Sequence, residues 1–247
     1  MNMSFSLILR KLLTLLSFGT ALMMGQCSWA ELLVDRSIVI FEDGQTREDV
    51  KVLNNSPEDK LYVSVEGYRV VDPGTEDEIY EPLKDNLQPS FVATPGKLVV
   101  QPDSSNIVRL LSLAPAADEE RIYRINFLPI ARPLALDEIE PGGEKGVKPA
   151  LEILLAYQVL AIVLPVDPAP SVDMKRTGKS VVFSNAGNAN YLLTNGQQCD
   201  PDDQEVCSGL PNKRIYPGNT FNVALPYDGP FSYTVRSYDG NMSKQFE

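Results

Sequence analysis

The chain has 247 residues, a formal net charge of −11 and no histidine. Its acidity argues against a nucleic-acid partner, because Lys and Arg neutralising phosphates drive such binding. The absence of histidine excludes Ser–His and Cys–His nucleophiles and His-ligated zinc sites. Gly-rich phosphate loops are missing as well, so we expect no enzyme, no bound cofactor and no metal.

The N-terminus has the features of a secretory signal peptide. Arg10 and Lys11 supply the positive charge, Leu12–Met24 is apolar, and small residues up to Ala30 suit a signal peptidase. We predict that residues 1–30 are removed on export. No later apolar run reaches the ~20 residues that a transmembrane helix needs, so we do not expect a membrane-embedded protein.

The residues after the signal have the pattern of an all-β protein, because short β-branched runs alternate with turn residues. Leu61, Val63 and Val65, for example, share one face of a predicted strand. The strands predicted in this part are Leu32–Phe41, Glu48–Leu53, Leu61–Val71, Phe91–Thr94, Leu98–Gln101, Ile107–Leu113 and Ile122–Ile130. A polar loop at 72–86 and a loop rich in Pro, Gly and Glu at 131–148 are expected between strands.

The run Ala150–Leu164 is apolar on both faces of a predicted strand. One face carries Leu151, Ile153, Leu155, Tyr157, Val159, Ala161 and Val163, and the other carries Leu154, Ala156, Leu160, Ile162 and Leu164. At ~3.3 Å per residue the run would extend roughly 50 Å, beyond the ~17–20 Å of a typical strand. One small sandwich should not cover all of it, so we predict that part of an apolar face serves a partner. The alternative is a buried core strand or helix.

Pro165–Pro170 contains three prolines, which cannot join a sheet ladder, and is the predicted linker. Beyond it, shorter strands are predicted at Ser180–Ser184, Tyr191–Thr194, Thr220–Ala224 and Ser232–Ser237. This spacing suits a β-sandwich, and no helix of useful length is apparent. We therefore expect two consecutive sandwich domains, at 31–164 and 171–247, joined at 165–170.

Two cysteines, Cys199 and Cys207, follow the signal peptide and flank a short acidic loop. In an oxidising compartment such a pair is expected to form a disulfide. A metal pair is the weaker alternative, because no histidine and no further cysteine accompany it. The loop carboxylates might be considered for calcium, but Pro201 and the lack of a turn glycine do not fit an EF-hand loop.

Several segments together resemble the periplasmic chaperones of chaperone–usher pilus assembly, the PapD-like family. Phe91–Leu111 (FVATPGKLVVQPDSSNIVRLL) is similar to the family pattern F-x-x-x-P … L-x-P … VRL, and Glu120–Pro129 resembles the strand before the donor loop. Leu151–Pro165 resembles the donor strand, and Val181–Asn188 the opening strand of the second domain. Within Tyr123–Phe127, the Y-R-x-x-F form resembles the alternative or archaic branches.

The resemblance implies two immunoglobulin-like sandwiches in an L-shaped arrangement and a location in the periplasm. It also implies a function, namely capping pilus subunits and delivering them to an outer-membrane usher. A subunit of this kind resembles a sandwich that lacks its last strand, so a donated strand adds main-chain hydrogen bonds and alternating side chains to an open groove. Leu151, Ile153 and Leu155, followed by Tyr157 on the same face, match the subunit-binding donor strand.

The resemblance fails at the expected carboxylate anchor. The best-known members hold the subunit's C-terminal carboxylate with an arginine of the first strand and a lysine of the donor strand, and these positions fall on Ile38 and Leu160. A buried unpaired charge is costly, so another cation must act if the anchor survives. The candidates are Arg36, expected on the strand face of Ile38, and Arg124, mid-strand among apolar neighbours. The alternatives are a solvated charge for Arg36 and a structural pair with an acid such as Glu120 or Glu152 for Arg124.

Other functional classes fit less well. A pilin-like subunit or adhesin would also be an exported β-sandwich protein, but it would bring a short N-terminal donor segment and one incomplete domain. A carbohydrate-binding sandwich needs exposed aromatic side chains, and Trp29, the only tryptophan, leaves with the signal, although tyrosines could substitute. Paired carboxylates can run glycosidase chemistry, but nothing in the sequence selects a pair.

Overall fold

The computed structural model describes residues 31–247 apart from 43, 86–87, 116 and 132–153. The predicted signal peptide, Leu151 and Ile153 lie outside the described residues. Within the described part, all regular structure is β-strand except one 3-10 turn at Leu83–Asp85, which confirms the all-β prediction. None of the helices found there is long and apolar enough to cross a membrane.

The N-terminal sandwich contains ten strands in its described residues. They are β1 (Leu32–Val34), β2 (Ile38–Phe41), β3 (Arg47–Asn54), β4 (Leu61–Val71), β5 (Ile79–Pro82), β6 (Phe91–Thr94), β7 (Lys97–Val100), β8 (Ser104–Ser112), β9 (Arg121–Pro129) and β10 (Tyr157–Val163). One sheet has the order β1-β3-β8-β6, and the other has the order β2-β10-β9-β4-β5 with β7 also paired to β4. All these pairs are antiparallel except β2 with β10, which is parallel.

The core of this sandwich follows from the alternation in the sequence. Leu61, Val63 and Val65 of β4 are all buried, as their shared face predicts. They pack with the inward residues of the neighbouring strands, among them Tyr123, Ile125 and Phe127 of β9 and Val159, Ala161 and Val163 of β10. The odd-numbered face of the run Ala150–Leu164 therefore becomes core from Val159 onward.

The prediction of a single first strand at Leu32–Phe41 is wrong. The chain makes two strands in different sheets, with β1 paired to β3 and β2 paired to β10. Residues 35–37 form the break between them, and the Asp35 carboxylate accepts a hydrogen bond from the Lys51 amide there (2.9 Å). The chain changes sheet at this point, and Arg36 and Ile38 therefore do not share one strand.

The C-terminal sandwich contains eight strands. They are β11 (Asp173–Thr177), β12 (Ser180–Ser184), β13 (Tyr191–Cys199), β14 (Cys207–Leu210), β15 (Lys213–Ile215), β16 (Thr220–Ala224), β17 (Phe231–Ser237) and β18 (Gly240–Phe246). One sheet has the order β11-β12-β16, and the other has the order β14-β13-β17-β18 with β15 also paired to β13. Its core includes Phe183, Tyr191, Tyr233 and Phe231. Four of these strands, β11, β14, β15 and β18, were not predicted from the sequence.

The predicted disulfide is present. Cys199 ends β13, Cys207 begins β14, and the two residues face each other in the register of that hairpin. The bond therefore closes the acidic loop at 200–206 of the C-terminal sandwich. Within the part of the chain that the structure describes, no group of acidic or cysteine side chains is arranged to hold a metal ion.

A third apolar cluster joins the two sandwiches. It contains Val70, Ile122, Leu160, Ile162 and Leu164 from the N-terminal side and Ala189 and Tyr216 from the C-terminal side. Residues 164–172 between the sandwiches carry no strand. The finer domain limits at 164, 170 and 171 stay predictions.

Candidate functional site

The C-terminal part of β10 is covered on both faces by the chain itself. Val159, Ala161 and Val163 point into the N-terminal core, and Leu160 and Ile162 belong to the cluster between the sandwiches. For this part of the run Ala150–Leu164, the alternative of a buried core strand is therefore correct. The regular strand is also shorter than predicted, because it begins only at Tyr157.

The described residues of the run Ala150–Leu164 are no longer buried by the rest of the chain before β10 begins at Tyr157. Tyr157 is half-buried and packs against the N-terminal core, whereas Leu154 and Leu155 are 40% and 54% exposed. Leu155 belongs to the same odd-numbered series as Tyr157 and Val159, and Ile153 and Leu151 continue that series beyond the described residues. An apolar face that is core from Val159 onward is therefore exposed at Leu155.

The main chain at this end of β10 also has an open edge. The strand lies between β9 and β2, but the pairing with β2 starts only at Leu160 opposite Ile38. On the side away from β9, Tyr157, Gln158 and Val159 have no neighbouring strand among the described residues. An open strand edge beside an exposed apolar face is the geometry on which β-augmentation depends.

Arg124 lies at the centre of the outward face of the same sheet. The register places Ile38, Leu160, Arg124 and Tyr68 in one row across β2, β10, β9 and β4. Arg124 is therefore the direct cross-strand neighbour of Leu160. Its Nε is buried and has no hydrogen-bond partner in the described part of the chain. The Glu120 pair that we considered for Arg124 is not formed, since Glu120 instead bonds to Asn190.

Arg36 is placed differently from Arg124. It lies in the break between β1 and β2, where its Nε is 3.4 Å from Asp35 Oδ2 and its Nη1 is 3.3 Å from Glu48 Oε2. The side chain is 45% exposed, so these pairs contribute little to stability. The surroundings of Arg36 thus match the solvated-charge alternative.

A cavity of about 210 Å³ lies between the two sandwiches. Two arginine side chains that were not predicted from the sequence line it. One wall is apolar and includes Ile38, Ile40 and Ile162. The other wall includes Arg214 of β15 and Arg236 of β17, which face Leu192 of β13 from its two sides in the sheet register. Arg236 could have been found from the sequence, because alternation puts it on the outward face of the predicted strand at Ser232–Ser237.

Arg214 is connected through an amide to an acid of the other sandwich. Asn190 donates from Nδ2 to Glu120 Oε2 (2.5 Å), and Arg214 donates from Nη1 to Asn190 Oδ1. Burial raises the pKa of Glu120 to about 7, against the lowering effects of the Asn190 hydrogen bonds and the Arg214 charge. Burial also lowers the pKa of Arg214. The second carboxylate oxygen of Glu120 is buried and has no hydrogen-bond partner among the described atoms.

Comparison with known proteins decides the family. The pili and flagellar-assembly chaperone family, through its PapD N-terminal domain, matches residues 31–158. The chain belongs to this family. A relative from Escherichia coli, described as a CS1 fimbrial subunit, is 28% identical over 206 residues, which cover 82% of the chaperone and 84% of the relative.

Solved structures give the same fold for the chaperone. The class 5 fimbriae chaperone CfaA is 19% identical with a TM-score of 0.61, covering 87% of this chain and 99% of that one. The SafB chaperone in complex with SafA pilin from Salmonella enterica is 12% identical with a TM-score of 0.59, covering 89% and 97%. The predicted family and the fold of two immunoglobulin-like sandwiches are thereby confirmed. Assignment to an alternative or archaic branch stays a prediction.

The predicted function in pilus assembly is confirmed at the level of the family. The family and the solved structures that match are chaperones rather than enzymes, and members of the family are chaperones of the periplasm. The family match supports a chaperone and does not support the alternative of a pilin-like structural protein.

Proposed function

We propose that this chaperone caps pilus subunits in the periplasm by donating the segment Leu151–Tyr157 as a β-strand, and then delivers them to an outer-membrane usher. The single observation that carries the proposal is the open end of β10, where an exposed apolar face coincides with a strand edge that no other described strand pairs with. A subunit strand would add to the edge that β2 leaves free. We expect no catalytic step and no cofactor, because the donated strand alone supplies the interaction.

The magnitude of the apolar contribution is adequate for a stable complex. Burying one Leu or Ile side chain gains ~1.5–3 kcal/mol. Leu151, Ile153 and Leu155 together would therefore contribute several kcal/mol before the costs of ordering and association are subtracted. Main-chain hydrogen bonds at the open edge would add to this and would protect the subunit's own edge from aggregation.

The proposal is tested by co-producing the chaperone with a pilus subunit and measuring the subunit recovered with it from periplasm. We expect Leu155→Asp to remove the subunit, because the carboxylate would enter an apolar groove without a partner. Leu154→Asp is the matched control, since Leu154 is the neighbouring residue, is also exposed and belongs to the other face. Equal recovery with both variants would contradict the donor-strand assignment.

For the subunit's C-terminal carboxylate we propose Arg124, rather than Arg36, as the residue of the N-terminal sandwich that replaces the missing anchor. Arg124 is the immediate neighbour of Leu160 in the sheet and has a buried nitrogen without a partner in the described part of the chain, whereas Arg36 is engaged by two acids at the surface. Arg214 and Arg236 would add positive charge from the facing wall of the cavity. Charge-assisted hydrogen bonds from guanidinium to carboxylate are among the strongest in proteins.

The anchor is tested with single Ala variants of Arg36, Arg124 and Arg236 and the same recovery measurement. We expect recovery to fall with Arg124→Ala and Arg236→Ala and to stay normal with Arg36→Ala. Thermal unfolding of each free variant is the control for folding. Normal recovery with folded Arg124→Ala and Arg236→Ala would leave the apolar donor strand as the main determinant of capture.

A further inference from the structure

The turn at Asp72–Gly74, between β4 and β5, contacts the C-terminal sandwich directly. Asn219 donates from Nδ2 to the Pro73 carbonyl (2.7 Å), and Lys213 donates from Nζ to the Gly74 carbonyl (3.3 Å). Two consecutive carbonyls of one sandwich are thus held by side chains of the other. The turn was predicted only as the start of a polar loop.

Gly74 allows the two sandwiches to approach closely at this turn. It has a φ of +77°, and a Cβ added to it would lie 2.9 Å from Cδ2 of Tyr216 and 3.3 Å from Nδ2 of Asn219. The Tyr216 ring is buried in the cluster between the sandwiches, so it has little freedom to move away. Any residue other than glycine would therefore push the two sandwiches apart here.

Both sides of this contact are held in place by their own sandwich. On the turn, Thr75 donates to the Asp72 carbonyl from its amide (3.3 Å) and its hydroxyl (2.8 Å), and the Gly74 amide donates to Glu78 Oε2 (2.6 Å). On the C-terminal sandwich, the amide of the buried Asn185 donates to the Asn219 carbonyl, and the Asn185 carbonyl accepts from the Gly218 amide. The Asn185 side-chain amide also donates to the carbonyls of Ala189 and Ile215, so it fixes the loop that carries Asn219.

A second set of contacts ties the sandwiches together through the linker and Glu120. Asn188 donates its amide to the Ala169 carbonyl (3.2 Å), and its carbonyl accepts from the Glu120 amide (3.1 Å). Tyr238 donates its hydroxyl to the Pro168 carbonyl (2.6 Å). A linker alone would leave the domains free to move, which is the usual state when an interface is small. The turn adds a contact that is distant from the linker in sequence.

We propose that the Asp72–Gly74 turn locks the relative orientation of the two sandwiches, and that Gly74 and Asn219 are positioning residues for subunit capture. The proposal rests on the proposed function, in which a subunit contacts both the open end of β10 and the cavity between the sandwiches. If the lock were lost, only a fraction of the free chaperone would present these two surfaces together. Affinity falls in proportion to that fraction, so a competent population of one in ten weakens binding about tenfold.

The first measurement is the distance distribution between spin labels on the free protein, attached at Lys51→Cys in β3 and Asn222→Cys in β16. Both residues are exposed, and Cys199 and Cys207 are already bonded to each other. We expect a narrow distribution for the parent and a broader one for Gly74→Ala and for Asn219→Ala. Gly44→Ala is the matched control, because Gly44 has a φ of +76° and no described atom lies within 4 Å of an added Cβ.

The second measurement is the affinity for a pilus subunit, where we expect about a tenfold loss with Gly74→Ala and Asn219→Ala relative to Gly44→Ala. If Gly74→Ala fails to fold, the proposal is still tested by Asn219→Ala, because this variant only removes the side-chain amide that bonds to Pro73. Distributions as narrow as the parent's would overturn the lock. Broadened distributions with unchanged affinity would overturn the positioning role. A parent protein that captures no subunit would instead contradict the proposed function, while the distances still test the lock on the free protein.

Discussion

The two ends of the run Ala150–Leu164 have the same apolar alternation and different surroundings. At the C-terminal end, Val159 and Ala161 are core and Leu160 and Ile162 are covered by the second sandwich. At the N-terminal end, Leu155 is more than half exposed and β2 no longer pairs with the strand. The comparison shows that residues of one alternating pattern can be buried or exposed, and that the presence of a neighbouring strand and of the second sandwich decides which.

The largest effect is expected from a substitution in the buried, C-terminal part of the run. Val159→Asp would place a carboxylate at a fully buried position of the N-terminal core, whereas Leu155→Asp on the same face changes an exposed residue. We expect Val159→Asp to lower the free energy of unfolding by at least about 4 kcal/mol, because the charge is buried without a partner. Urea unfolding of the free chaperone checks this. A small loss for Val159→Asp, equal to that for Leu155→Asp, would mean that the two ends do not differ.

A smaller effect concerns Glu120, which directly precedes β9. Its carboxylate accepts a hydrogen bond from Asn190 of the second sandwich. Its pKa is raised from 4.5 to about 7, so the folded state holds this proton more tightly than the unfolded state does. Stability should therefore fall as pH rises from about 4.5 to about 7 and stay lower above it, by about 3 kcal/mol in total. Glu120→Gln imitates the protonated acid and should remove this part of the pH dependence.

The measurement is urea unfolding of the parent and of Glu120→Gln at pH 5 and pH 8. The variant should gain stability over the parent at pH 8 and little at pH 5. A parallel pH dependence in both proteins would show that Glu120 does not titrate in this range.

The smallest effect is expected at the disulfide of the C-terminal sandwich. The Cys199–Cys207 bond closes a loop of sequence separation 8 on the C-terminal sandwich. Replacing both cysteines with alanine should cost about 2 kcal/mol, because only a short loop is released in the unfolded state. Subunit recovery should be unchanged, which makes this variant the counterpart of Leu155→Asp: it loses stability and keeps binding. Loss of recovery in a folded double variant would connect the loop to the site.

Strands with regular alternation could be predicted from the sequence, and strands without it could not. Ser180–Ser184 and Thr220–Ala224 have the predicted bounds, because more buried and less buried side chains alternate in them. Gly240–Phe246 was missed because all its side chains except Phe246 are exposed. It is a strand because its backbone pairs with β17, and no local pattern records that pairing.

The candidate site was predictable to a similar extent. The alternation in the run predicted that Leu155 and Tyr157 share one face. The point at which the run becomes exposed depends on the start of β2 at Ile38, and on Ala189 and Tyr216 of the other sandwich. The convergence of Arg214 and Arg236 on Leu192 depends on the register of three strands. Such long-range registers follow from tertiary packing and cannot be derived from neighbouring residues.

The parallel pairing of β2 with β10 has a consequence for the biosynthesis of the chaperone itself. Val39 and Phe41 of β2 are buried, yet their partner strand is the last of the N-terminal sandwich to be synthesised. Contacts between such distant segments form slowly, and apolar strand edges that wait for a partner are prone to associate. While the chain is being synthesised, the N-terminal sandwich therefore passes through an interval in which it lacks its own final strand. In that interval the nascent chaperone lacks a strand, as the family resemblance implies for the subunits that it is proposed to cap.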